Sequence, residues 1–136
     1  MSVFIDANIL IAFANPDDNC HARAKTILTG VVKQNYGKPF ISDYIFDEVV
    51  TVLLQKTKDL KVTVEYGEKL FGSEIEILTV GEYIFKEAWT IFKEQGQTKL
   101  SFTDCTNLAL MKTHNIQSIA TFDQAYKKRR NISVLD

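Results

Sequence analysis

The chain predicts an α/β domain of three layers, with helices on both faces of a mostly parallel sheet of roughly five strands. Three observations carry that prediction. Strands of four or five residues alternate with helical segments along the chain. The first of them, Ser2-Val3-Phe4-Ile5, is a short apolar run of the kind buried on both faces of a parallel sheet. No repeat, low-complexity tract or Pro/Gly/Ser linker divides the 136 residues, so positions 1–136 are expected to form one domain.

Taken in order, the opening strand is followed by Asp6-Ala7-Asn8 and then by Ile9 to Phe13, most simply a short helix. Pro16-Asp17-Asp18-Asn19 is a turn with good capping residues ahead of a second helix, from about Cys20 to Val32. Pro39-Phe40-Ile41 reads as the second strand. Ser42 or Asp43 then caps a helix carrying Ile45, Val49, Val52 and Leu53 on one face. A further helix is expected from about Val62 to Phe71. Ile75, Ile77 and Val80 mark the third strand, and Tyr83 to Lys93 another helix around Trp89. Glu94 to Lys99 is a polar loop, after which Ser101 caps a helix from Phe102 to about Thr113. Ser118 to Thr121 and Ile132 to Val134 are the fourth and fifth strands, with a final helix expected between them.

Composition narrows the function classes. The hydrophobic fraction of 46% and the charged fraction of 24% are those of a soluble globular protein. Apolar runs are too short and interrupted for the ~20 residues that span a bilayer, and residues 1–5 enter a strand without a signal-type segment. Cys20 and Cys105 make no disulfide or zinc spacing, so a reduced, cytoplasmic protein is expected. A net charge of −1 argues against coating nucleic acid by bulk electrostatics, though it leaves room for an enzyme gripping a few phosphates. Lys127, Lys128, Arg129 and Arg130 form the one dense basic run. It is either a solvated helix end or, at Lys127 and Lys128, a contact to substrate.

The informative feature is where carboxylates fall. Asp6 directly follows the first strand, and Asp123 follows the fourth. In open parallel sheets the ligand site lies beyond the carboxyl ends of the strands, so both acids belong to that edge. Asp104 is in the first turn of its helix and Glu48 in the second turn of another. If those helices start at the same edge, four acids converge. Converging carboxylates raise one another's pKa, and a hard divalent cation, Mg²⁺ or Mn²⁺, relieves the conflict. Each acid also has a purely structural reading. Asp6 suits a helix cap, Asp104 a capping box with Ser101, Asp123 a turn, and Glu48 competes with its neighbour Asp47.

The four strings together resemble the PIN-domain ribonuclease family. Val3-Phe4-Ile5-Asp6-Ala7-Asn8 is similar to its opening signature, an apolar strand followed by Asp-x-Asn/Ser. In Ser42-x-x-Ile45-x-x-Glu48-Val49 the helical acid of the family falls on Glu48 rather than Asp47. Asp104-Cys105-x-x-Leu108-Ala109 resembles the third acidic position, and Ile119-Ala120-Thr121-Phe122-Asp123, with Tyr126 behind, the last. The resemblance spans essentially the whole chain. Many relatives carry one more acid two residues past the last Asp, where this chain has Ala125.

That resemblance implies a three-layer PIN-like fold and metal-dependent hydrolysis of RNA phosphodiester bonds. Asp6, Glu48, Asp104 and Asp123 are the implied catalytic acids. Direct metal ligation is expected of Asp6 and Asp104, with Asp123 next, and a water-bridged or hydroxide-orienting role of Glu48. Asn8 and Thr121 are placed to hydrogen-bond the acids or the metal's waters. Within the family, a short single domain looks most like a VapC-like toxin of a type II toxin–antitoxin pair, a homodimer held by a small antitoxin protein. His21 and His114 have no Ser or Cys partner at a motif spacing, and no Gly-rich phosphate loop is present. A phosphoacceptor receiver domain needs paired acids after its first strand and a late Lys. A haloacid-type hydrolase needs Asp-x-Asp; this chain has Asp6-Ala7-Asn8. The alternatives that remain are a non-catalytic PIN-like RNA-binding module and a housekeeping RNA-processing nuclease.

Overall fold

Ser2–Ile5 (β1) runs through the centre of a five-stranded, wholly parallel sheet in the computed structural model, which describes residues 1–136. Lys38–Ser42 (β2) and then Glu76–Leu78 (β3) flank it on one side, and Ser118–Ala120 (β4) and then Ser133–Leu135 (β5) on the other. The order is therefore β3-β2-β1-β4-β5. Phe4 is in register with Phe40 on one side and Ile119 on the other. Val3, Phe4 and Ile5 are wholly buried, as a central strand covered on both faces requires. Trimming Ile5 to Ala here is expected to cost about 2–5 kcal/mol.

The helices are Ala7–Ala14 (α1), His21–Val32 (α2), Asp43–Thr57 (α3), Leu60–Phe71 (α4), Glu82–Glu94 (α5) and Phe102–Thr113 (α6). α1 packs on α2 and α3, and α3 packs on α4; α5 and α6 pack on each other. The chain builds outward from β1 to β3, then crosses back to β4 on the other side of β1. Right-handed crossovers taken in opposite directions place the two helix groups on opposite faces, which makes the third layer. The reversal lies between β1 and β4, so the crevice at their carboxyl ends is the switch point of the sheet.

Local chemistry sets the element boundaries, and in several places corrects the sequence reading. Ser42 caps α3, accepting from Ile45 N at 3.1 Å. Asp43 instead accepts from Val80 N at 3.0 Å, which draws Val80 out of the ladder and ends β3 at Leu78. α4 starts at Leu60, two residues before the expected Val62, because Asp59 caps it through Val62 N. No side chain of the 16–19 turn caps α2 directly; Asp18 accepts from Cys20 N one step earlier. The expected last helix is a 3-10 helix, Gln124–Lys128, capped by Asp123 through Ala125 N.

Candidate active site

Asp6 leaves β1 and caps α1. Its backbone N–H still donates to Ala120 O at 2.9 Å, so the ends of β1 and β4 are pinned together. The side chain is only 5% exposed. Oδ1 accepts from Ala7 N at 2.9 Å and Oδ2 from the Thr121 hydroxyl at 2.8 Å. Burial pushes the carboxyl from its ordinary value up to about 7. The charges of Asp104 and Glu48 add to that rise, while the bonds from Thr121 and Ala7 oppose it. Three of the four expected acids therefore sense one another across the switch point.

Asp104 stands in the first turn of α6 and completes a capping box: its N–H donates to Ser101 Oγ at 3.0 Å, and its Oδ2 accepts from Ser101 N at 2.9 Å. The structural reading of Asp104 is thus realised, and it does not displace the functional one. The capping box orients the carboxylate, and Oδ1 turns to accept from Tyr126 Oη at 2.9 Å. Tyr126 is wholly buried and in turn accepts from Asn107 Nδ2 at 3.1 Å. Burial, with the charges of Asp6 and Asp104, drives the phenol pKa far upward, so the hydroxyl stays a donor at all working pH values. Asn107 and Tyr126 as supports of Asp104 escape a reading of the sequence. Asn107 lies three residues after Asp104 on one helix face, and Tyr126, singled out above only as part of the family-like segment, three after Asp123.

Glu48 sits at the exposed rim on α3. Partial burial raises its carboxyl, with the charges of Asp104 and Asp47 adding to the rise. Asp47 itself accepts from the Thr51 hydroxyl along the helix surface. Asp123 is linked to this group through its backbone rather than through its carboxylate. Its N–H donates to Thr121 Oγ1 at 3.1 Å, while Oδ1 is committed to Ala125 N. Asn8 donates to the same hydroxyl at 3.2 Å and accepts from Phe122 N at 3.2 Å. Arg23 lies over the Phe122 ring, 4.8 Å from its centroid, and covers the loop from outside. Thr121 is thus the hub to which Asp6, Asn8 and Asp123 all attach.

Other expectations resolve individually. Lys127 forms a half-exposed ion pair with Asp136 at 2.7 Å, while Lys128 is exposed and unpaired. Cys105 is buried in the core, and burial followed by the Asp104 charge raises its thiol pKa, against a role as ligand. His21 binds Ala12 O through Nδ1, at 2.9 Å.

The donor set suits a hard cation. All four acids offer oxygen, no Lys, Arg or His forms an ion pair with any of them, and Asp6 is held in a state that a positive charge would relieve. As the side chains stand, no three His, Cys, Asp or Glu groups are drawn close enough to close on one ion. Each carboxylate retains unused lone pairs beyond the bonds described.

By fold and site this is a parallel α/β domain with an oxygen-donor cluster at its switch point. The chain belongs to the PIN domain family, whose profile matches residues 3–131. Among curated proteins no sequence matches it. Solved structures share the fold along almost the whole chain. The toxin VapC20 of Mycobacterium tuberculosis superposes with a TM-score of 0.85 at 20% identity, over 98% of this chain and 99% of that one. FitAcB of Neisseria gonorrhoeae gives 0.70 at 18% identity, over 98% and 96%. VapBC2 of Rickettsia felis, bound to a DNA fragment from its promoter, gives 0.69 at 15%, over 98% and 97%.

Proposed function

We propose that this chain is a metal-dependent ribonuclease, the toxin of a toxin–antitoxin pair. The observation that carries the proposal is Asp6, desolvated at the switch point of the sheet and facing the charges of Asp104 and Glu48. Membership of the PIN domain family supports the nuclease reading. The likeness to VapC20, described as a sarcin–ricin loop cleaving toxin, and to a Klebsiella pneumoniae toxin–antitoxin complex supports the toxin reading. No helix is long and apolar enough to cross a membrane, which agrees with a cytoplasmic RNA substrate.

In this reading Asp6 and Asp104 hold Mg²⁺ or Mn²⁺, with Asp123 as a further ligand. When bound, the ion lowers the pKa of a water molecule and neutralises charge growing on the phosphate. The chain's own residues do the rest. Thr121 and Tyr126 fix the rotamers of Asp6 and Asp104, so the oxygens are aimed before substrate arrives. Glu48, at the rim with a raised pKa, would orient the attacking water and take up its proton. Asn8 and Thr121 hold the loop that carries Asp123. A small antitoxin protein covers the site in the producing cell, and the toxin acts as a homodimer.

Expression of the chain alone tests the biological half. Growth arrest that Asp6→Asn relieves, with a small protein co-purifying from the native source, is the expected result. Normal growth at a high level of soluble, cleaving protein would favour a housekeeping RNA-processing nuclease instead.

A further inference from the structure

At the opposite edge of the sheet from the acids, a cleft of about 850 Å³ opens beside the C-terminal half of α6. Its other wall is the segment between the 3-10 helix and β5. Four cationic residues line it, Lys112, Lys128, Arg129 and Arg130, together with Asn115, Gln117 and Asn131. No carboxylate does. None of the four cations is in an ion pair; the pairs in this chain are Lys38–Glu76, Lys86–Glu82 and Lys127–Asp136. With a net charge of −1, the chain as a whole is not basic, so this is a local segregation of charge.

Arg129 is the decisive residue. Its Nε and Nη2 lie away from solvent and donate to no acceptor. A guanidinium cannot escape that position by losing its proton, and donors buried without a partner cost stability, although the residue as a whole is only half-buried. The backbone keeps it there: Arg129 N donates to Tyr126 O at 3.0 Å, and Tyr126 is anchored in the core. The two unpaired donors belong to one planar fork, whose geometry matches two oxygens of a single phosphate. The C-terminal dipole of α6 opposes an anion with only about half a charge, against four full cations.

We propose that this cleft is an anion site that takes a phosphate group, with Arg129 as the fork and Lys112, Lys128 and Arg130 around it. The phosphate comes either from the backbone of a bound RNA or from a free mononucleotide. The site does not depend on the ribonuclease reading, because it shares no side chain with the acid cluster.

The test is calorimetric titration of the whole chain, under chelator, with inorganic phosphate, 5′-AMP and a short single-stranded RNA. Wild type is compared with Arg129→Gln and with the double variant Lys128→Ala/Arg130→Ala. Phosphate and 5′-AMP are expected to bind wild type and to weaken roughly tenfold or more in Arg129→Gln, as for loss of charge-assisted hydrogen bonds. A smaller loss is expected in the double variant. If RNA affinity falls in parallel and phosphate competes with RNA, the ligand is a backbone phosphate. If RNA binding is indifferent while the small ligands respond, it is a free nucleotide. Absence of phosphate binding to wild type, or equal affinity in all three proteins, overturns the proposal. Should Arg129→Gln fail to give a folded far-UV spectrum, the double variant decides, since both its positions are exposed: unchanged phosphate affinity there overturns the site. Asp6→Asn is expected to lose RNA cleavage and keep phosphate binding, which separates failure of this site from failure of the catalytic reading.

Discussion

The hydroxyl of Thr121 donates to Asp6 Oδ2 across 2.8 Å, joining the residue that follows β4 to the residue that follows β1. The same oxygen accepts from Asn8 Nδ2 and Asp123 N, so one side chain holds three parts of the site in register. Thr121→Val keeps the shape and removes the hydroxyl. RNA cleavage is expected to fall about 10–100-fold, the range for losing a group that orients a metal ligand. Thr121→Ser is expected to recover most of that activity. Equal kcat/KM for wild type and Thr121→Val would deny the hydroxyl any part in catalysis.

Asp6 gives the metal-free protein an unusual pH dependence. Its folded-state pKa is raised to about 7 from an ordinary 3.8, so between those values the folded state binds more protons than the unfolded one. Stability from this group is therefore full below pH 3.8 and falls as pH rises towards 7, by at most about 4 kcal/mol. The difference in urea-unfolding free energy between wild type and Asp6→Asn, each in chelator at pH 5 and pH 7.5, isolates the term. Wild type is expected to lose more stability than Asp6→Asn on going to the higher pH. Identical losses would mean that Asp6 titrates normally.

Tyr126→Phe removes the donor to Asp104 Oδ1 and strands Asn107 Nδ2, whose oxygen Oδ1 already lies buried without a partner. A loss of about 1–3 kcal/mol in stability is expected from the stranded amide. The double variant Tyr126→Phe/Asn107→Leu should regain part of that stability without regaining cleavage rate. Recovery of both together would make Tyr126 a packing residue only.

How legible these features were follows from their range along the chain. Asp6 after β1 and the Ser101–Asp104 box are written in neighbouring residues, and the sequence places them correctly. The parallel sheet follows from apolar strands spaced by helices, although its register does not. The Asn107–Tyr126–Asp104 relay joins α6 to the 3-10 helix over 19 and 22 residues, and only the packing of those elements reveals it. Lys127 reads as part of a free basic run until β5 brings Asp136 against it. The early end of β3 is likewise a tertiary effect, since Asp43 reaches across 37 residues to Val80 N. The unpartnered guanidinium of Arg129 has no sequence signature beyond its neighbours' charge.

Metal binding should register as stability. A cation that binds only the folded state adds about 2.7 kcal/mol at a hundredfold excess over Kd. Thermal melts of wild type in Mg²⁺ or Mn²⁺ are expected to shift upward from those in chelator, and those of Asp104→Asn to shift less. A wild-type melting temperature indifferent to saturating Mg²⁺ and Mn²⁺ would count against a convergent site.

Cleavage itself is the most direct measurement. A labelled structured RNA is incubated with wild type, Asp6→Asn and Asp104→Asn, each in Mg²⁺, in Mn²⁺ and in chelator, with folding checked by circular dichroism. Asn keeps the shape of each carboxylate and removes its charge, so both variants are expected to fold and to lose at least about a hundredfold in rate. Wild type is expected to be silent in chelator and restored by either ion. Wild-type rates in both Asn variants, or full cleavage in chelator, would contradict a metal-dependent site built on Asp6 and Asp104.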